Sequence, residues 1–148
     1  MTTRVVGVRA ASLVESSRRG HRSSRIYDDV QWMGLLRSVN ALQMYQRATR
    51  GPVEGSKVVD FLLLDPIFPR SVTACVAAIR AALAALPRPD LTRPAVDELE
   101  ALVAAVPPGS AIADNHDGAA LDAAMDRVLL GLASLNAAVD AALFHAVS

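Results

Sequence analysis

The stretch FLLLDPIFPRS, residues 61–71, constrains this chain more than any other, because it must end one helix and begin another within a few residues. Just before it, Val58, Val59 and Phe61 to Leu64 leave Asp60 as the one polar position, so that helix has to be buried on nearly all sides. Asp65 precedes a proline, whose Cδ pushes it out of the α region and stops the helix. Pro69 is tolerated in a first turn, where its missing N–H needs no partner. A second helix is therefore predicted from Pro69, with Val72, Cys75, Val76, Ile79, Leu83 and Leu86 on one stripe, ended by Pro87 and Pro89. The pattern is helix, hard corner, helix.

The rest of the chain repeats this grammar. Asp28 or Asp29 can cap a helix that the spacing of Trp32, Leu35, Leu36, Val39 and Leu42 extends as one run to Gly51-Pro52. Ser56 begins the apolar helix of the corner. Thr92 is placed as the N-cap of a shorter helix with Pro94 in its first turn and Val96, Leu99, Val103 and Val106 inward, closed by Pro107-Pro108-Gly109. Residues 110–118 read as loop. A long final helix then carries Leu121, Met125, Val128, Leu132, Leu135, Val139 and Leu143 at spacings of three and four, a stripe that needs a partner helix along most of its length. Hydrophobic residues are 52% of the chain and aromatics 4%, an Ala- and Leu-rich mix that favours helices over strands. The expected fold is all-α, an antiparallel bundle of about five helices in one domain of 148 residues.

Net charge is zero, but residues 1–50 hold nine Lys or Arg against three acids, while residues 51–148 hold six against twelve. Residues 1–26, with six arginines, two Ser-Ser pairs and a short apolar start at Val5, Val6 and Val8, are expected to be a disordered leader before a helical domain spanning 27–148. The leader lacks the apolar segment and cleavage site of an export signal. Without interleaved aromatics or a nucleic-acid module, no nucleic-acid partner is expected for it. Arg80, Asp122, Asp126, Arg127 and Asp140 interrupt the best candidates for a membrane span, so no membrane partner is expected. The lone Cys75 points to no disulfide framework, and the natural home is cytoplasmic.

The chemistry-bearing residues are sparse. Cys75 falls in its helix's apolar stripe and is expected to be a buried small hydrophobe. His21, His116 and His145 are far apart and show no metal-ligand spacing. The 114–118 loop lacks the alternating ligands of a calcium site, and Asp117 reads as a cap. Phosphate-loop, dinucleotide and nucleophile-elbow motifs are absent, so no cofactor and no catalytic residue is assigned. Asp97, Glu98 and Glu100 read as a solvated acidic face near a helix start. Asn136 either fixes register or sits at the edge of its stripe. Arg37, Asp65 and Arg70 are the candidates left: a structural clamp across the corner, or a small anion site at exposed helix amides.

The segments QWMGLLRSVNALQMYQRATRG, KVVDFLLLDPIFPRSVTACVAAIRAAL and LDAAMDRVLLGLASLNAAVDAALF, in that order, resemble the C-terminal half of the bacterial alpha-E domain family. The resemblance covers about residues 27–147. Trp32, Leu36, Arg37, Phe61, Leu62, Leu63, Leu64, Asp65, Pro69, Arg70 and Ser71 match its pattern residue by residue. It implies a helical companion of a circularly permuted ATP-grasp protein, often near a transglutaminase-like peptidase, in neighbourhoods that suggest amide-bond synthesis on a peptide. A homo-oligomer is also compatible with the surplus of helix-packing surface. Residues 1–26 do not resemble what precedes the match in the family, whose N-terminal half is arginine- and glutamate-rich. The chain is thus expected to be a truncated product, a shortened paralogue or one piece of a split protein. A non-catalytic accessory module is the first functional reading. The alternative is an enzyme or substrate-binding subunit that grips an anion with Arg37, Asp65 and Arg70.

Overall fold

The computed structural model describes residues 24–86, 88–111 and 118–144. Among these the regular structure is entirely helical: α1 (Ser24–Ser38), α2 (Leu42–Thr49), α3 (Gly55–Leu63), α4 (Val72–Ala84), a 3-10 turn (Pro89–Leu91), α5 (Arg93–Ala104) and α6 (Gly118–Phe144). The all-α expectation holds. α1, α2 and α3 pack on one another, α3 passes to α4 through the corner, α4 lies on α5, and α5 lies on α6. One apolar cluster joins them, from Leu35 and Leu36 through Tyr45, Val58 and Leu63 to Leu99, Leu121 and Val128. Residues 1–23 of the expected leader, and with them His21, lie outside the described residues, as do His116, Asp117 and His145. α1 already begins at Ser24, so Asp28 and Asp29 sit within the helix and not at its cap.

The single helix expected up to Arg50 is in fact two. Asn40 adopts φ 53, in the left-handed region, and its N–H donates to the Arg37 carbonyl at 3.0 Å. The next amide, Ala41, donates to the Leu36 carbonyl at 2.8 Å. Those two bonds make a Schellman closure with asparagine in the position usually taken by glycine, and the fully buried Leu36 and Ala41 flank it. Ser38 Oγ donates to the Leu35 carbonyl at 2.7 Å and helps turn the chain out of the helix. The break rotates α2 so that Tyr45, which the stripe reading passed over, is fully buried. Its ring meets Phe61 edge-on at 5.5 Å, and Phe61 stacks on Phe68 at 4.4 Å. The Tyr45 hydroxyl serves the loop after α2, accepting from the Glu54 amide at 3.2 Å and lying 3.4 Å from the Pro52 carbonyl.

At the corner, α4 starts at Val72 and not at Pro69, because Ser71 is the cap: its Oγ accepts from the Ala74 amide at 3.0 Å. The same hydroxyl donates to the Asp65 carbonyl. Thr73 Oγ1 donates to the Leu63 carbonyl at 3.0 Å. Side chains of α4's first turn therefore satisfy carbonyls that α3's end leaves without helical partners. Within α3, Asp60 Oδ1 accepts from the Gly109 amide at 2.7 Å, tying the chain beyond α5 back to the buried helix. A Cβ on Gly109 would lie 2.0 Å from the Ser56 carbonyl oxygen, so glycine is required there by close backbone approach.

Other expectations shift with register. Cys75 is exposed, because it sits one position before Val76, about 100° around the helix from the stripe that packs inward. Thr92 precedes α5 but makes no capping bond; its hydroxyl lies 3.3 Å from the Pro89 carbonyl, within the 3-10 turn. Val96, Leu99, Val103 and Val106 are buried as expected. On α6, Leu121, Met125, Val128 and Leu135 are buried, Leu132 and Val139 are half-buried, and Leu143 is exposed. Ser110 and Ala111, expected in a loop, are helical together with Gly109. The helix from Ala119 to Phe144 is long and apolar enough to cross a membrane by length and composition, while Asp122, Asp126, Arg127 and Asp140 lie exposed on it.

Replacing Ser71 with Ala should cost about 1–3 kcal/mol, since it removes a cap and leaves the part-buried Asp65 carbonyl unmet. Gly109→Ala should destabilise by about 1–3 kcal/mol or more through its backbone collision. Gly34→Ala, in the exposed interior of α1 with nothing within 4 Å of the added methyl, should instead stabilise by about 0.5–1 kcal/mol. Urea unfolding of the three variants checks the order and the signs.

Candidate functional site

The corner positions two of the three sequence-predicted residues. Asp65 leaves the α region before Pro66, and its Oδ1 turns back to accept from the amides of Ile67 at 2.7 Å and Phe68 at 2.9 Å. This is an Asx-type turn, with the carboxylate serving the backbone. Arg70 projects the other way, and its Nη1 donates to the Val39 carbonyl at 3.0 Å. That carbonyl belongs to the exit of α1, where unmet oxygens and the negative end of the helix favour a cation. Arg37 is exposed in the last turn of α1. Among the described residues Asp65 and Arg70 form no ion pair with each other, and Arg37 joins neither. The corner is held by separate side-chain-to-backbone ties.

The strongest charge cluster among the described residues lies elsewhere, between α4 and α5. Arg80 lies on the side of α4 that faces α5, and Asp97 and Glu100 are one turn apart on α5. Arg80 Nε donates to Glu100 Oε1, and Nη2 donates to Glu100 Oε2 at 2.8 Å, a two-pronged grip. Nη2 also donates to Asp97 Oδ1. The hydrogen bonds that Arg80 donates to Glu100 and then Asp97 push the guanidinium's proton affinity above its already high value, so Arg80 stays charged wherever the protein is folded. Two of the three acids expected as a solvated face are thus gripped from the neighbouring helix, while Glu98 remains exposed. Residues seventeen and twenty positions apart leave no local pattern; the one available signal was a single Arg in an otherwise apolar helix.

The remaining polar candidates are peripheral. Cys75 Sγ lies 3.7 Å from the Pro69 carbonyl on the protein surface. Asn136 is at the exposed edge of α6, with Nδ2 3.4 Å from Asp140 Oδ2, which settles its place outside the core stripe. Among the described residues no three of His, Cys, Asp or Glu converge as metal ligands would.

The all-helical structure agrees with what family comparison finds. The model of the Alpha-E family, described as a predicted alpha-helical domain with a conserved ER motif, matches residues 1–144. The chain belongs to the Alpha-E family. No curated protein and no solved structure matches it. The family match reaches residue 1, which corrects the expectation that only the C-terminal half is represented and that residues 1–26 fall outside it. The change of composition near residue 26 is a shift in charge, not a family boundary. The four glutamates of this Alpha-E chain, Glu15, Glu54, Glu98 and Glu100, precede Ser, Gly, Leu and Ala, so no Glu-Arg dipeptide occurs in it.

Replacing Arg80 with Met, which keeps a long stem but leaves Asp97 and Glu100 facing each other, should lower Tm at low salt. The loss should shrink in about 1 M NaCl, where the screening length is about 3 Å. Melts at the two salt concentrations check this; a loss independent of salt would assign the effect to packing of the stem.

Proposed function

We propose that this Alpha-E protein is a non-catalytic helical interaction module, a companion to a circularly permuted ATP-grasp protein in a system that forms amide bonds on a peptide. The partner class comes from the family resemblance. The observation that supports an interaction role is the outer side of α6, where Leu130 and Phe144 are 70% and 72% exposed although the opposite side of the same helix packs on α5. Large apolar side chains left open at two places along one helix suit a surface completed by a partner.

A substrate-binding or enzymatic role at the corner is the second reading, and Arg70 favours it. Its guanidinium is exposed, and among the described residues only Nη1 is engaged, so the rest of its fork is open to a carboxylate or phosphate.

Co-expression with the ATP-grasp protein encoded beside it, followed by affinity capture, tests the first reading. Capture by the native chain should fall at least about tenfold in a Leu130→Asp, Phe144→Asp double variant whose circular dichroism is unchanged. Equal capture by both proteins would reject α6 as the contact. In the reconstituted system Arg70→Ala should leave turnover intact; its loss with an unshifted Tm would favour the anion site instead.

A further inference from the structure

We infer that the groove between α4 and α5 is a binding site for an aliphatic ammonium group. The groove has a volume of about 430 Å³ and lies where the end of α3 meets these two helices. That volume is within the range of about 300–1,000 Å³ typical of ligand sites. Val76, Ala77, Val103 and Ala104 supply apolar walls, and Thr73 and Glu100 are its polar side chains.

Both polar groups accept and neither donates. The Thr73 hydroxyl gives its proton to the Leu63 carbonyl, so it turns only lone pairs toward the groove. Glu100 is a carboxylate fixed by Arg80, and with Asp97 on the same guanidinium the cluster holds two acids against one cation. The Glu100 carboxylate therefore stands at one end of an apolar trough, with Arg80 behind it. A ligand without donors, or an anion, would leave these acceptors unmet on losing water, whereas an ammonium on an apolar stem supplies donors, a charge opposite to that of Glu100 and a chain that fits the walls.

The geometry also selects among cations. Arg80 occupies both carboxylate oxygens of Glu100 edge-on, so a second guanidinium cannot repeat that fork. An ammonium has three rotatable donors and can use the remaining lone pairs without a planar match. The ligand is thus a primary amine on a chain of methylenes, as in a free alkylamine or a lysine side chain. This site is independent of the α6 contact proposed above.

A titration of the full chain followed by nitrogen-proton NMR tests it, with n-hexylammonium, Nα-acetyl-lysine methylamide and hexanoate as probes. The two amines should shift the amides around Ala77 and Ala104 and saturate in the millimolar range, about −4 kcal/mol. Tighter binding of hexylammonium would mark a small amine as the natural source, and tighter binding of the lysine probe a partner's side chain; both sustain the site. Ala77→Leu, which fills the groove at an exposed position, should abolish the shifts while the spectrum stays dispersed. Equal shifts by hexanoate, persistent binding by Ala77→Leu, or no shift with either amine would overturn the inference.

Discussion

The fold depends on how two helix ends are closed where α3 meets α4. The last turn of a helix leaves carbonyls without partners, the first turn of the next leaves amides without partners, and here both lie beside the core, where water cannot serve them all. Ser71 answers both at once, with one lone pair toward Ala74 and its proton toward Asp65. Thr73 and the Asp65 carboxylate meet the remaining demands at Leu63, Ile67 and Phe68. With the corner fixed, α4 leaves at an angle that sends Val72 and Val76 inward and carries Arg80 to α5. A mis-set corner would lose the inward stripe and the ion grip together, because both lie on one rigid helix.

This corner was legible in the sequence because its determinants are local. Asp-Pro stops a helix whatever surrounds it, although the sequence pattern places the next start at Pro69, three residues before the helix that the Ser71 cap opens at Val72. The break at Asn40 was not legible in the same way. Apolar residues continue in helical spacing through Val39 and Leu42, and periodicity cannot register a single left-handed residue. Asn tolerates that conformation better than most residues, so Ser38 and Asn40 together were the available signal. Cys75 was misplaced because a stripe drawn generously around Val72 and Val76 includes a neighbour one position away, which in a helix is a different face.

The candidate site was legible in its residues but not in their roles. Asp65 and Arg70 stand at the corner as the sequence suggested, yet each serves the backbone, a choice set by which carbonyls and amides the tertiary arrangement leaves open. The Arg80 cluster went unseen for the complementary reason. Its partners are a bundle neighbour away, and only the packing of α4 on α5 brings them within reach. Local rules find caps and stops; pairings between helices need the angle between them.

α6 carries the same reasoning to the surface. Its 27 residues span about 40 Å, while the 12 of α5 reach about 18 Å, so the longer helix must extend past its main partner. Leu143 and Phe144 are open at its far end, and Leu130 faces away from α5 near its middle. Exposed apolar residues on a helix with so much hydrophobic surface follow from length as well as from pattern. The acids on the same helix restrict what could cover it: Asp122 and Asp126 lie exposed near its start, so a parallel second copy would set like charges against each other. A covering partner should instead bring cations to that end and apolar side chains to the rest. That pairing of charge and hydrophobicity separates a specific partner from indiscriminate association through exposed leucine and phenylalanine.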